Sequence, residues 1–160
     1  MSENLKKATF GAGCFWGVEE AFRVLPGVIE TKVGYAGGHL QNPTYKDVCG
    51  DLTGHAEVVE VEFDADQIPY EALVEMFFKL HDPTQVNRQG PDVGTQYRSV
   101  VFYHDEQQKA VAEQIKASLD QSGRFKKPIA TSIEPAPDFW PAEDYHQKYL
   151  AKRGLSSCHL

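Results

Sequence analysis

Hydrophobic and polar residues alternate along some stretches of this chain and recur every three to four positions along others. The sharpest alternation is at residues 56–63, where valine and glutamate take turns, and it predicts a half-buried strand. Similar strand patterns cover residues 7–12, 28–35, 97–103 and 129–134. Helical spacing, together with helix start and stop residues, predicts helices over residues 16–25, 69–81, 106–122 and 142–153.

The predicted elements follow one another in the order β-α-β-β-α-β-α-β-α. The first part of this order is the split βαβ arrangement, so we expect a ferredoxin-like α+β fold: a two-layer sandwich of helices on a mainly antiparallel sheet. Residues 1–160 contain no repeat and no linker composition, which predicts a single domain with a mobile tail at about residues 150–160. We expect the chemistry in two long loops, residues 36–54 and 82–96, because structureless stretches of this length are usually functional.

The charge balance narrows the class of partner. Sixteen Lys and Arg against 23 Asp and Glu leave a net charge of −7, which argues against a nucleic-acid binder and against a polybasic membrane anchor. No apolar run approaches the roughly 20 residues that span a bilayer, and no secretory signal is visible at the N-terminus. We therefore expect no nucleic-acid or membrane partner, a cytoplasmic location and a monomer.

The chain has three cysteines, Cys14, Cys49 and Cys158. They are too few for a disulfide scaffold, and their spacing to histidines does not match a zinc site, so we expect no metal and no cofactor. Cys14 lies between a predicted strand end and a predicted helix start, where unpaired backbone N–H groups lower the pKa of a thiol. This placement makes Cys14 a candidate nucleophile, although a small buried residue in a turn is equally consistent with it.

Six short blocks resemble, in order, the motifs of the peptide methionine sulfoxide reductases of the A class. The blocks are GCFWG at residues 13–17, GYAGG at 34–38, NPTY at 42–45, TGHAEVV at 53–59, HDPTQ at 81–85 and GPDVGTQYRS at 90–99. A seventh stretch, FWPAEDYHQ at residues 139–147, extends the likeness. The resemblance implies reduction of the S epimer of methionine sulfoxide, free or in proteins, to methionine.

The resemblance implies that Cys14 attacks the sulfoxide sulfur and that Glu57 donates the proton. Burial beside aromatic residues is expected to raise the pKa of Glu57 and keep it protonated at neutral pH. Without the motif, we would interpret Glu57 as an exposed strand residue like Glu60 and Glu62.

Five further residues receive binding or catalytic roles from the resemblance. Tyr45 and Tyr97 match the two tyrosines whose hydroxyls bind the sulfoxide oxygen. Phe15 and Trp16 match the wall that accepts the substrate methyl group. Asp92 matches an aspartate that orders the site and contacts the substrate.

Four other polar residues in these blocks are expected to be structural. We interpret His55 as a hydrogen-bonding residue and His81 as a cap at a helix end. Tyr35 and Arg98 are assigned to the scaffold.

Recycling of the nucleophile needs a second thiol, because the attack leaves a sulfenic acid on Cys14. Cys158, three residues from the end of the tail, is the first candidate, and Cys49 in the glycine-rich loop is the second. The resemblance implies that thioredoxin then reduces the Cys14–Cys158 disulfide.

Two other functions are weighed against the reductase. A thiol peroxidase or redox sensor would use Cys14 and Cys158 on peroxide, but it leaves the cluster of Tyr45, Tyr97 and Glu57 without a purpose. A module that binds oxidised methionine peptides or a metal would need no turnover at all. The family motifs favour the reductase.

Overall fold

The computed structural model describes residues 5–49 and 53–149. Its strands are β1 Leu5–Ala12, β2 Val28–Ala36, β3 Ala56–Asp64, β4 Arg88–Gln89, β5 Asp92–Val93, β6 Ser99–Tyr103, β7 Ser132–Pro135 and β8 Trp140–Pro141. Its α-helices are α1 Phe15–Arg23, α2 Tyr45–Cys49, α3 Tyr70–Lys79 and α4 Glu106–Gln121. Two 3₁₀ turns cover Thr95–Tyr97 and Asp144–His146.

Six strands form one sheet in the order β7-β6-β1-β3-β2-β8, and only the β6–β7 pair is parallel. Strand β3 runs antiparallel between β1 and β2, so β1–α1–β2 is a split βαβ unit. In the same way, β1 lies between β3 and β6 in the sheet, and α3 lies in the connection from β3 to β6. The predicted α+β, ferredoxin-like, mainly antiparallel fold is confirmed.

The main core lies on one face of the sheet, where alternate residues of neighbouring strands are in register. Phe10 of β1 is opposite Val59 of β3, and Val59 is opposite Val33 of β2. The ring of Phe10 stacks on Phe22 of α1 at 5.0 Å and on Phe77 of α3 at 5.3 Å between ring centroids. Because these side chains are almost completely buried, their removal from water fixes the helices on this face.

The opposite face of the sheet carries a second, smaller core near the end with the loops. In it, Val58, Val100 and Phe102 pack against Phe139. A side chain at Gly34 of β2 would collide with the Phe139 ring, so the approach of this loop to the sheet requires glycine.

The C-terminal region differs from the prediction of a helix over residues 142–153. Instead, Trp140–Pro141 pairs with β2 as an edge strand, and only Asp144–His146 turns as a 3₁₀ helix. Lys148 has a left-handed backbone (φ 53°), which interrupts a helix at that position; Tyr149 is helical again, and residues from 150 onward lie outside the described part. Over residues 142–148 a helix is replaced by individual polar contacts, in which Glu143 and Gln147 bond to β2 and Lys148 bonds to α1.

Smaller differences concern the two loops. Helix α2 lies in the first loop and the β4–β5 hairpin in the second, where the sequence predicts no regular structure. The strand predicted from residue 97 begins at Ser99, because Tyr97 closes a 3₁₀ turn. In the described ranges, no helix is both long and apolar enough to cross a membrane.

Candidate active site

Cys14 lies in the turn between β1 and α1, at the N-cap position of the helix. The preceding Gly13 has φ 99°, a left-handed conformation that side chains disfavour, and this lets the chain reverse directly after the strand. Cys14 is half-buried. A thiol here faces the partial positive charge of the helix N-terminus, which favours the thiolate.

Glu57 lies on the helix-covered face of β3, in contrast to the other glutamates of that strand. It has the same parity as Val59 and is 1% exposed, whereas Glu60 and Glu62 point to the other face and are partly exposed. The backbone N–H of Phe15, next to Cys14, donates to Glu57 Oε1 over 3.3 Å. Strand parity therefore places one carboxyl group at the same helix terminus as the thiol.

Aromatic rings surround this carboxyl–thiol pair. The Phe15 ring lies 5.7 Å from Tyr35 and 6.4 Å from Tyr45, measured between centroids. Trp16 stacks toward Tyr45 at 6.4 Å and on Tyr149 at 3.9 Å. The structure thus brings Phe15, Trp16 and Tyr45 together beside Cys14 as an aromatic wall, in which Phe15 is completely buried and Trp16 and Tyr45 are partly exposed.

Residues 140–148, which we call the C-terminal clamp, pack against these aromatic residues. Glu143 of the clamp accepts the hydroxyl hydrogen of Tyr35 at Oε1 and the backbone N–H of Tyr45 at Oε2, each over 3.0 Å. Burial alone would raise the pKa of Glu143, but the Tyr45 and Glu143 backbone hydrogen bonds and the Tyr35 hydroxyl together hold that pKa below its usual range. An ionised Glu143 thus fixes the start of α2, from which Tyr45 projects.

His146 of the clamp orients the tryptophan. The indole Nε1–H of Trp16 donates to His146 Nδ1 over 2.9 Å, so the neutral imidazole carries its proton on Nε2. The His146 ring is 1% exposed and lies 4.3 Å from the Tyr45 ring. Burial lowers the pKa of His146, while Glu143 acts in the opposite direction, and the neutral form is therefore kept at neutral pH.

The clamp is held on the sheet by side chains that act as backbone partners. The Gln147 amide accepts the N–H of Val33 and donates to its carbonyl, as a neighbouring strand would. The carboxylate of Glu19, buried in α1, accepts the Lys148 N–H over 2.6 Å and the Thr31 hydroxyl over 2.8 Å. Gln147 and Lys148 therefore attach the clamp to β2 and α1.

Asp92 and Tyr97 both lie in the second loop. Asp92 pairs with Gln89 in the β4–β5 hairpin, and a Cβ placed on Gly13 would lie 2.9 Å from the Gln89 side chain. The 3₁₀ turn that ends at Tyr97 packs against β3, the strand of Glu57. Asp92 therefore lies in a hairpin beside the Cys14 turn, and Tyr97 lies in a turn against the strand of Glu57.

The residues predicted to be structural make structural hydrogen bonds. His55 accepts the Gly38 N–H at Nδ1 and donates from Nε2 to the Leu40 carbonyl, which closes the first loop. His81 donates to the Phe77 carbonyl in the last turn of α3, which confirms its capping role. Arg98 donates to the Thr95 carbonyl within the 3₁₀ turn.

Two cysteines cannot be placed in the site. Cys158 lies outside the described residues, and of Cys49 only the backbone, at the end of α2, is described. Within residues 5–49 and 53–149, no group of three or more His, Cys, Asp and Glu residues is arranged to hold a metal ion.

Sequence reasoning missed three residues that hold the site, namely Glu143, His146 and Gln147. The signal was present, since all three belong to the stretch FWPAEDYHQ at residues 139–147. Its aromatic and polar residues have no core-forming spacing, which indicates individual contacts.

Comparison with known proteins decides the family. The family model described as peptide methionine sulfoxide reductase matches residues 6–160. The chain belongs to this family. A peptide methionine sulfoxide reductase MsrA of Acidobacterium capsulatum is 62% identical over 156 residues, which cover 98% of this chain and 100% of that protein. The chain is therefore an oxidoreductase that reduces methionine sulfoxide, as the sequence motifs predict.

Solved structures of the family share the fold. Mxr1 of Saccharomyces cerevisiae in its reduced form is similar with a TM-score of 0.88 and 40% identity, over 94% of this chain and 87% of that chain. Mxr1 in complex with Trx2 is similar with a TM-score of 0.65 and 28% identity, over 91% of this chain and 85% of that chain.

Proposed function

We propose that this reductase acts on the S epimer of methionine sulfoxide, with Cys14 as nucleophile and Glu57 as acid. The observation that carries the proposal is the hydrogen bond from Phe15 N to Glu57 Oε1, which ties the buried carboxyl group to the turn that presents the thiol. A nucleophile and a proton donor at one helix terminus are what sulfoxide reduction requires.

The substrate methyl group is expected to lie against Phe15 and Trp16, and the sulfoxide oxygen to face Glu57, Tyr45 and Tyr97. This arrangement supports stereoselectivity, because only one epimer can direct its oxygen to the hydroxyl donors while its methyl group stays on the apolar wall. Asp92 borders the same turn and is proposed to bind the polar part of the substrate.

In the chemical step, the Cys14 thiolate attacks the sulfoxide sulfur and Glu57 transfers its proton to the oxygen. The oxygen moves to Cys14 as a sulfenic acid, methionine leaves, and the sulfur of the substrate gains the two electrons that Cys14 loses. Burial favours the neutral acid form of Glu57, which accepts the Phe15 N–H at its carbonyl oxygen and keeps an O–H donor.

We propose that Cys158 then condenses with the sulfenic acid, releasing water and forming a disulfide with Cys14. Thioredoxin would open this disulfide by thiol exchange, and the similarity to Mxr1 in complex with Trx2 supports that partner. Cys49 is the second candidate for the resolving thiol. The cytoplasmic location, the monomeric state and the single domain over residues 1–160 stay predictions.

The test is product analysis with the separated R and S epimers of a methionine sulfoxide peptide, with dithiothreitol as reductant. We expect conversion of the S epimer only, and none with Cys14→Ser. Equal conversion of both epimers would contradict the binding model. Peroxide consumption without sulfoxide reduction would indicate a thiol peroxidase instead.

The recycling step is tested with Cys158→Ser. We expect one reduction event per enzyme to remain, while thioredoxin-driven turnover stops. If Cys158→Ser cycles fully with thioredoxin but Cys49→Ser does not, the assignment of the resolving cysteine is wrong.

A further inference from the structure

A groove of about 810 Å³ lies beside the second loop and carries a strong local positive charge. One side is formed by residues 81–88, including Arg88, and the other by residues 124–127, which contribute Arg124, Lys126 and Lys127. Among the described residues, Asp82 is the one carboxylate that lines it. Four cations against one carboxylate give a net charge of +3 in a chain whose total is −7.

Within the described part of the chain, no close ion pair neutralises these cations. Lys7, Arg23 and Lys148 each have a carboxylate within ion-pair distance. None of the four groove cations has such a partner among the described residues, and all four are exposed. Unpaired like charges repel one another, so the fold gains nothing from collecting them here.

The groove is connected to the Cys14 turn through one residue. Gln89 follows Arg88, accepts the Asp82 N–H at Oε1 over 2.8 Å and donates to the Asp82 carbonyl over 2.9 Å. The other side of the Gln89 side chain packs against Gly13, the neighbour of Cys14. An extended peptide rises about 3.3 Å per residue, so the groove is within reach of residues two to five positions from a bound methionine sulfoxide.

We propose that this groove binds acidic side chains that flank the methionine sulfoxide of a protein substrate, an inference that rests on the proposed function. Charge complementarity argues for an acidic peptide, because a net charge of +3 on the groove attracts carboxylates and repels basic segments. The preferred substrates are then acidic segments of oxidised proteins, whereas the free amino acid gains nothing from the groove.

The test compares peptides that carry S methionine sulfoxide and differ only in their flanks. Three glutamates, three glutamines or three lysines occupy the positions two to four residues from the methionine sulfoxide, on its N-terminal side in one set of peptides and on its C-terminal side in another. For each peptide, kcat/KM is measured with dithiothreitol as reductant. At low salt we expect kcat/KM of the faster of the two glutamate peptides to exceed that of its glutamine counterpart by about tenfold. Salt at 0.5 M should remove most of this difference. N-acetyl methionine sulfoxide should show little salt dependence.

The groove is identified with a matched pair of double variants. In the double variant Lys126→Gln with Lys127→Gln, the ratio of kcat/KM for the glutamate peptide to kcat/KM for the glutamine peptide should fall close to one. Lys6→Gln with Lys32→Gln removes the same charge from other exposed positions and should leave the ratio unchanged. The ratio is the readout because a general loss of activity cancels from it.

Three results would overturn the inference. A ratio near one in the wild type, with normal turnover of all peptides, rejects the acidic substrate class. An unchanged ratio in Lys126→Gln with Lys127→Gln rejects the groove. A higher KM for thioredoxin in that variant, without a change in the peptide ratio, would mean that the groove binds thioredoxin and not the substrate. Absence of turnover with every sulfoxide, including N-acetyl methionine sulfoxide, would reject the proposed function itself.

Discussion

The two sides of this active site are built in different ways. On the side of Cys14 and Glu57, which we call the sheet end, backbone register sets the positions: β3 presents Glu57 by strand parity, and the β1–α1 turn presents Cys14. On the side of the C-terminal clamp, short backbone pairing is supplemented by single side chains such as Glu143 and Gln147. One side of the site is therefore positioned by the backbone of regular elements, and the other by single polar side chains.

The largest effect is expected at the sheet end, from Glu57→Gln. Glutamine has a similar shape but no acidic proton, so the rate of sulfoxide reduction should fall by about 10²- to 10⁴-fold, the range typical for general acid catalysis. Single-turnover kinetics with the S epimer measure this step directly. Glu60→Gln, on the opposite face of the same strand, is the control and should react at the wild-type rate.

The second effect concerns pH and the buried network behind the sheet end. His81 Nε2 accepts the Ser99 hydroxyl, whose oxygen lies 2.7 Å from Thr131 Oγ1. Burial lowers the pKa of His81 to about 4, although the Phe77 carbonyl and Asp82 act in the opposite direction. Since the unfolded chain takes up the proton near pH 6.5, stability is full above that pH and is lost as the pH falls toward 4.

The shift of the His81 pKa corresponds to about 3 kcal/mol of unfolding free energy across this window. Urea unfolding between pH 7 and pH 4.5 should show a steep loss in the wild type and a shallower one in His81→Gln. The exposed His39→Gln should retain the wild-type slope. Equal slopes in all three proteins would mean that other groups cause the acid sensitivity.

The third prediction concerns the buried contact through which Glu19 of α1 holds the clamp. Both carboxylate oxygens of Glu19 accept a hydrogen bond, one from the Lys148 N–H and one from the Thr31 hydroxyl. Because the amide of Glu19→Gln has only one acceptor oxygen, one of these buried hydrogen bonds is lost. We expect a loss of about 1 to 3 kcal/mol in unfolding free energy. Glu20→Gln, in the next position, breaks only the partly exposed ion pair with Arg23 and should cost less than about 1 kcal/mol.

The smallest effect is expected from His146→Phe, which keeps a ring in the wall but leaves the Trp16 indole N–H without its acceptor. We expect KM for the peptide to rise about fivefold with little change in the rate of the chemical step, since one hydrogen bond is worth about 1 kcal/mol. His146→Gln retains an acceptor and should recover part of the loss. A fall in kcat alone would contradict an orienting role.

The pH dependence of KM should distinguish orientation from simple packing. Protonated His146 cannot accept the Trp16 N–H, so KM of the wild type should rise as the pH falls below the ordinary histidine range. In His146→Gln that rise should be absent. An identical KM profile in both proteins would show that another group titrates.

Sequence motifs and periodicity predicted the sheet end well and the clamp poorly. Only the motif singled out Glu57 from Glu60 and Glu62. The alternation in β3 predicted the strand, because side-chain alternation is a local property of the chain. The same kind of reasoning predicted a helix over residues 142–153, although Gln147 instead pairs with Val33 more than a hundred positions away. Such a pairing leaves no periodic pattern.

The sequence by itself determined the five longer strands of the sheet, the helix start at Cys14, the net charge and, through its motifs, the family. Those properties depend on neighbours in the chain: side-chain alternation, helical spacing and turn residues. Only the tertiary structure decided which glutamate is buried, that Glu143 and His146 hold Tyr45 and Trp16, and that Arg88 joins residues 124–127 in one groove. These outcomes depend on which distant segments share a surface, and burial and hydrogen bonding between them arise only when the chain has folded.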